Sequence, residues 1–324
     1  MDSSSGSRQV STASTFCVSL DDIRAAADRI RPHVLQTPIV HAWALQPLLG
    51  GQISFKCENL QYGFAFKARG ACNAVMSLSD AEAARGVVTH SSGNHAAALA
   101  RAAVLRGIRA HIVMPHNSAK VKLQAVRDLG VEPILCEPES AAREAMAAKV
   151  QLETGATMIH PFNDPRVIAG QGTAGLEMLE QCPDIDTVIV PVGGGGLLAG
   201  TLIAIKSQRP DVRVFAAEPS WADDAFRSMK SGKIEPAVRT DTIADGLRTP
   251  LGTLTFPIIR ELVDDVLCAD EDTIRTATSL LRTHVRLVSE PSGAVPLAVM
   301  LQHAPLFQNR KTVALISGGN TDQI

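Results

Sequence analysis

The sequence predicts an α/β protein built on doubly wound sheets, and three observations carry that expectation. Short β-branched runs alternate with alanine-rich stretches of helical spacing along most of the chain. Four consecutive glycines, Gly193 to Gly196, follow one of those runs and open a helical one. With 324 residues, 45% of them hydrophobic, the chain can bury a core large enough for two lobes.

Composition narrows the function classes. A formal net charge of -2 with 20% charged residues gives no footing for a nucleic-acid partner. No apolar run reaches membrane length, and the N-terminus lacks an uninterrupted apolar segment beside a basic one, so a cytoplasmic protein without a membrane partner is expected. Cys17, Cys57, Cys72, Cys136, Cys182 and Cys268 are scattered without a CxxC pair. That argues against a zinc site or a disulfide framework and for buried thiols.

Residues 1–15 are dominated by Ser, Thr and Gly and read as a mobile tail. Helical spacing of Ile23, Ala26, Ala27 and Ile30 predicts a helix over 21–30, stopped by Pro32, and Pro38 opens an extended piece. Ser79 and Glu82 form a capping-box signature for a helix closed by Gly86. A strand is predicted over 87–90, then the loop Ser91-Ser92-Gly93-Asn94-His95, then a helix over 96–106 closed by Gly107. A strand over 108–114, a helix over 120–129, a strand over 131–136 and a helix through Lys149 complete a compact α/β unit. That unit, residues 83–160, reads as a small domain inserted into a larger one made of 16–82 and 161–324, with buried strands at 187–190, 212–217 and 312–316.

The stretch FKCENLQYGFAFKARGA, residues 55–71, holds a lysine in apolar company where a strand-like run gives way to a helical one. Desolvation of Lys67 would lower its pKa and favour the neutral amine that attacks a carbonyl. The alternative is a snorkelling lysine at a helix start. Four glycines before a helix let the backbone approach an anion, and exposed amides with the helix dipole suit a phosphate. No GK[ST] follows them, which excludes a nucleotide-hydrolysing P-loop. Two owners of the phosphate remain on this reading. One is a dinucleotide, since Gly194-x-Gly196-x-x-Ala199 fits GxGxxG/A and Glu218 ends the next strand. The other is pyridoxal phosphate, held at the glycines and by a Schiff base at Lys67.

The ordered set FKCENLQ...FKARGA, HSSGNH, PVGGGGLLAG, AAEPSWADD and a terminal SGGN resembles the fold-type-II pyridoxal-phosphate family, in its serine racemase and serine/threonine dehydratase branch. The likeness runs from about Leu20 to the end. It implies a tryptophan synthase β-like fold of two doubly wound α/β domains with the cofactor between them, and a homodimer. Lys67 would be the covalent anchor with Phe66 lying against the cofactor. Asn94 would hydrogen-bond the ring hydroxyl oxygen, Gly193, Gly194, Gly195, Gly196 and Leu197 would hold the phosphate, and Ser317 would face the pyridine nitrogen. A neutral serine there leaves charge less delocalised into the ring, which favours β-elimination over transamination.

By the same resemblance Ser91, Ser92, Gly93, Asn94 and His95 bind the carboxylate of an amino-acid substrate, in keeping with amides at a helix N-terminus. Ser92 matches the acid/base hydroxyl opposite the lysine in the racemases, and Arg143 an arginine near the substrate carboxylate. Glu218, Asp224 and the carbonyl of Ala222 resemble a Mg²⁺ or Ca²⁺ site, with oxygen ligands suited to such a cation. The sequence departs from the family at Gly63-Phe64-Ala65, which introduces a ring expected near the substrate pocket, and at Phe162, which resembles the dehydratases more than the racemases. The chain ends four residues after Asn320, so a C-terminal regulatory domain and feedback by isoleucine are not expected. The resemblance implies a dehydratase (ammonia-lyase) converting L-serine, L-threonine or 3-hydroxyaspartate to a 2-oxo acid and ammonia. A racemase with dehydratase side activity, a β-replacement synthase and, in another class, an NAD-dependent oxidoreductase are the alternatives.

Overall fold

The computed structural model describes residues 16–321, and the tail expected over 1–15 lies outside them. Among the described residues the strands are β1 (Ile39–His41), β2 (Gln52–Cys57), β3 (Val87–His90), β4 (Ala110–Pro115), β5 (Ile134–Cys136), β6 (Thr157–Met158), β7 (Thr187–Pro191), β8 (Arg213–Pro219), β9 (Asp265–Ala269) and β10 (Lys311–Ile316). They form a six-stranded sheet in the order β1-β2-β10-β7-β8-β9 and a four-stranded sheet in the order β5-β4-β3-β6. Every pairing is parallel except β1 with β2.

Parallel strands need helical crossovers, and here helices cover both faces of the large sheet. One face buries Ile168, Ala174, Leu198 and Leu202 of the helices Pro165–Gln181 and Gly196–Lys206. The other buries Ile274, Ala277, Val295 and Val299 of the helices Glu271–Leu280 and Pro291–Gln302. The expectation of a doubly wound α/β fold is met. On the first face the two helices nearly touch. A Cβ on Gly200 would stand 2.3 Å from Ile168 O and 2.6 Å from Gly172 N, so that crossing requires glycine.

Several expected elements form with shifted ends. The capping box at Ser79 and Glu82 is present, and the helix it starts, Asp80–Arg85, ends at Gly86 with φ 83°. The helix after Gly93 begins at Asn94, not Ala96, so Asn94 and His95 belong to its first turn. The strand expected from Val131 is only Ile134–Cys136, and β9 was not anticipated. Its sequence, DVLCA, is bounded by acids and too short to show a period.

The helix Lys67–Met76 is held from two sides. Its Ala71, Ala74 and Val75 pack with Leu99 and Ala103 of the helix Asn94–Arg106, while a buried ion cluster fixes its N-terminal turn to the large sheet. Arg69, fully buried, donates to Glu58 Oε1 and Oε2 at 2.8 Å each and to Glu177 at 2.6 and 2.7 Å. Lys56 donates to Glu177 at 2.5 Å and to Thr37 O at 2.7 Å, so each charge of this cluster has a partner.

Candidate active site

Parallel strands deliver their following loops to one edge, and ligands of open α/β sheets bind there. Here β3 leads to Ser91–His95, β7 to the glycine loop and β10 to Ser317. These loops and the first turn of the Lys67 helix enclose a cavity of about 280 Å³. It is lined by Phe66, Lys67, Ser91, Ser92, Gly93, Asn94, His95, Arg143, Gly193 to Gly196, Leu197 and Ser317. The residues expected for cofactor and substrate thus meet in one place, although they run from Phe66 to Ser317 in the sequence.

Lys67 is the first residue of its helix and half-buried. Its Nζ donates to Pro161 O at 2.8 Å and stands 4.9 Å from the centre of the Phe66 ring. Burial lowers its pKa to about 8, with Glu290 opposing the shift. The amine therefore loses its proton far more readily than an exposed lysine. Snorkelling to solvent does not describe it.

The glycine loop is shaped by its neighbours. Gly195 has φ 86° and is the cap residue before the helix Gly196–Lys206, whose first amides have no intrahelical acceptor. A Cβ on Gly194 would stand 2.3 Å from Phe162 Cγ, and one on Gly196 would stand 3.0 Å from Phe162 Cβ. Thr255 Oγ1 donates to Gly194 O at 2.8 Å and holds the loop from behind. An anion cradle without side chains, beside a desolvated lysine, fits a phosphate-bearing carbonyl cofactor. Ser317, 3% exposed, lines the same cavity, and its carbonyl accepts from Phe66 N at 3.0 Å.

Among the remaining expected residues, Ser92 is exposed at the cavity and Gly93 N donates to Ser91 Oγ at 3.2 Å. The His95 ring is 1% exposed with Nε2 3.4 Å from Ile159 O, on the inward face of the helix's first turn. Arg143 is half-buried and lines the cavity, with its Nε buried and unpartnered and no ion pair among the described residues. Phe64 corrects one expectation. It lies in a tight turn with φ 53°, 61% exposed, and is not part of the cavity wall, so it places no ring near the substrate pocket.

Sequence reasoning passed over several further groups on this wall. Glu290 is 4% exposed with its pKa raised to about 7, first by burial and then by Asp245. Lys122 donates to Asp245 at 2.6 Å across the mouth. His160, lowered to about 4 chiefly by burial, accepts from Asn163 N at Nδ1 and meets the His90 ring edge-on at 5.5 Å. Burial lowers the His90 ring as well, which favours its neutral form. The Glu-Pro pair at 290–291 suits the start of the helix Pro291–Gln302, but nothing in it points to a cavity.

Glu218 and Asp224 lie off this cavity, 1% exposed each. Glu218 accepts from the amides of Ala225 and Phe226 at 2.8 and 2.9 Å, whereas both Asp224 carboxylate oxygens are buried without a partner. Burial raises both pKa values, that of Asp224 to about 6. Among the described residues no three His, Cys, Asp or Glu side chains group as metal ligands. An orphaned carboxylate beside a second one, in a turn whose Ala222 is also buried, nevertheless fits a hard cation with waters completing its shell. Glu218 is spent on helix amides and buried, so it does not serve as the free ribose-binding acid of a dinucleotide site.

Fold and site together define an α/β enzyme with a desolvated lysine and a glycine loop facing one cavity. The chain belongs to the pyridoxal-phosphate dependent enzyme family, whose model matches residues 30–319. It is 47% identical to a β-hydroxyaspartate dehydratase of Paracoccus denitrificans over 93% of this chain and 96% of that one. It is 47% identical to a serine racemase of Arabidopsis thaliana over 95% and 94% of the two chains. The solved structure of maize serine racemase superposes with a TM-score of 0.93 at 44% identity, covering 95% of each chain. The family expectation holds, and the dinucleotide alternative falls. No helix among the described residues is long and apolar enough to cross a membrane.

Proposed function

We propose that the protein is a dehydratase (ammonia-lyase) of β-hydroxy amino acids and that 3-hydroxyaspartate fits its pocket best, ahead of L-serine and L-threonine. The observation that carries the substrate choice is Arg143, an unpaired half-buried guanidinium on the cavity wall. The amides and hydroxyls of Ser91 to His95 suit one carboxylate, and Arg143 suits a second. Similarity to the Paracoccus denitrificans dehydratase supports the same choice.

In this reading Lys67, Gly193 to Gly196, Leu197, Asn94, Phe66 and Ser317 hold pyridoxal phosphate, which when bound supplies the electron sink for charge left at the substrate Cα. Lys67 removes the Cα proton, a task suited to an amine lowered to about 8. The β-hydroxyl takes up a proton and leaves as water, and water added at the α-carbon then releases ammonia and leaves the 2-oxo acid. Ser92, exposed at the cavity, supports racemisation as the second reading, because its hydroxyl can exchange a proton there. Glu218, Asp224 and the Ala222 carbonyl hold Mg²⁺ or Ca²⁺ away from the chemistry. Residues 16–82 with 161–324 form the cofactor-binding domain, and 83–160 the inserted one. Work in the cytoplasm is supported by six free cysteines, and homodimer formation by Trp43 and Leu48, left 79% and 55% exposed.

The test is a panel of both enantiomers of each substrate, assayed for 2-oxo acid, ammonia and residual chirality. The purified protein is expected to be yellow, and Lys67→Ala to lose the colour and all turnover while staying folded. Arg143→Gln is expected to raise KM for 3-hydroxyaspartate roughly 10- to 150-fold, from a lost charge-assisted contact of about 1.5–3 kcal/mol. L-Serine should be little affected. Equal losses on both substrates would assign Arg143 to the α-carboxylate and refute the dicarboxylate choice.

A further inference from the structure

The amide of Asn94 is held at both ends. Its Nδ2 donates to Glu290 Oε1 at 3.0 Å, and its Oδ1 accepts from Asn320 Nδ2 at 3.0 Å. Asn320 Nδ2 also donates to the Gly63 carbonyl at 2.8 Å. A carbonyl can only accept, so the Gly63 contact fixes which end of Asn320 is the amino group. The Asn94 atom facing that amino group must then be its oxygen, and the Asn94 nitrogen must face Glu290. The network thereby assigns an orientation that atom positions alone leave open. One Asn94 N–H is spent on Glu290 and one is left.

Glu290 is itself fixed. Its amide donates to Gly318 O at 3.0 Å, it immediately precedes Pro291 at the start of the helix Pro291–Gln302, and its side chain is buried. A Cβ on Gly318 would stand 2.5 Å from Glu290 Oε1 and 3.2 Å from Asn94 Nδ2, so this packing allows nothing larger there.

We infer that Glu290 and Asn320 are positioning residues: they lock the Asn94 amide so that the cavity receives its remaining N–H, and the charge on Glu290 sets how strongly that N–H donates. The inference rests on the reading that Asn94 faces the ring oxygen of pyridoxal phosphate. A neutral Glu290 leaves the N–H a good donor and adds no negative charge beside that oxygen, which favours its ionised form. An ionised Glu290 does the reverse. The groups that face the carboxyl are Lys67, Asn94, Lys122 on the helix Lys120–Arg127, and Asp245 in the turn Asp245–Leu247. Burial, then Asp245, raise its pKa, and Lys122, Asn94 and Lys67 oppose them, leaving it at about 7. The switch therefore falls within the neutral pH range.

The experiment is a pH titration, from about 6 to about 8.5, of the ratio of the near-visible to the near-ultraviolet cofactor bands of the holoenzyme, spanning the Glu290 midpoint. Wild type is compared with Glu290→Gln, Asn320→Ala and Asn94→Ala, each checked for bound cofactor and melting temperature. Wild type is expected to show a step near pH 7 that Glu290→Gln, which keeps an acceptor but no charge, lacks. Asn320→Ala, which frees the Asn94 amide to rotate, should change the ratio at every pH and provides the test if Glu290→Gln does not fold. If Asn94→Ala moves the bands but Glu290→Gln titrates like wild type, or Asn320→Ala leaves the ratio unchanged, the clamp is refuted. If Asn94→Ala leaves the bands unmoved, the placement of Asn94 at the ring oxygen is wrong, and the inference falls with it.

Discussion

Asp224 offers a prediction whose size follows from its surroundings. Its two carboxylate oxygens are buried without partners, and burial, only partly opposed by nearby backbone groups and Arg227, raises the carboxyl from an ordinary 3.8 to about 6. That difference corresponds to about 3 kcal/mol of native-state penalty on the ionised form. The sign follows from linkage. A raised acid keeps its full contribution below the unfolded value and loses it as pH rises through the folded one, so metal-free protein should lose up to this amount between about pH 4 and about pH 7. Glu218, raised well above its usual value by burial and by Asp224, adds in the same direction. Asp224→Asn removes the ionisation. In chelator it should therefore melt about 4 °C above wild type at about pH 8, and close to wild type at about pH 4. Mg²⁺ or Ca²⁺ should stabilise wild type increasingly with pH and leave Asp224→Asn unresponsive, because a cation bound only by the native state stabilises it by mass action. Differential scanning fluorimetry over pH, with and without cation, measures both. Parallel melting curves for the two proteins in chelator, or an equal cation response, would refute the reasoning.

Two further predictions concern the chemistry and the scaffold. Ser92→Ala should abolish interconversion of L- and D-substrates and elimination from D-substrates, while elimination from L-substrates persists at a reduced rate, as chiral analysis of residual substrate will report. If it abolished L-elimination as fully as Lys67→Ala, the roles assigned to the two side chains would be wrong. Arg69→Ala strands Glu58 as a buried carboxylate without its ion-pair partner, leaving Glu177 to Lys56 alone, and should cost about 3–5 kcal/mol by urea denaturation; a loss below about 1 kcal/mol would mean that the cluster is hydrated and exerts little hold on the Lys67 helix.

The fold class was legible because its signals are local. The capping box at Ser79, the glycines after β7 and the alternation of apolar runs each depend on a few neighbouring residues, and each formed. Lys67 was legible too, through the small and aromatic residues beside it. What sequence could not show was direction. Phe64 stands three residues before Lys67, yet the left-handed turn at Gly63 and Phe64 points its ring to solvent. His95 belongs to the expected loop, yet one step of helical rotation past Asn94 buries its ring against Ile159. Glu290 and Asn320 reach the site from positions about 200 residues beyond Asn94, and only the return of β10 beside β2 brings them there.

The ion cluster behind the helix Lys67–Met76 explains how a lysine can be both desolvated and well placed. Lys67 is the first residue of that helix, where fraying would otherwise be greatest, and an amine in an apolar pocket gains by swinging out to water. Arg69, two residues on, prevents this. Four charge-assisted hydrogen bonds to Glu58 and Glu177 reach from β2's end and the helix Pro165–Gln181, so the first turn cannot unwind without separating buried charges. Buried ion pairs add little net stability, because desolvation offsets most of their attraction. Their effect here is geometric. They hold the backbone at Lys67 while the second anchor, its hydrogen bond to Pro161 O, keeps Nζ turned into the cavity. The sheet edge sets where the site forms, and the cluster makes its lysine stay.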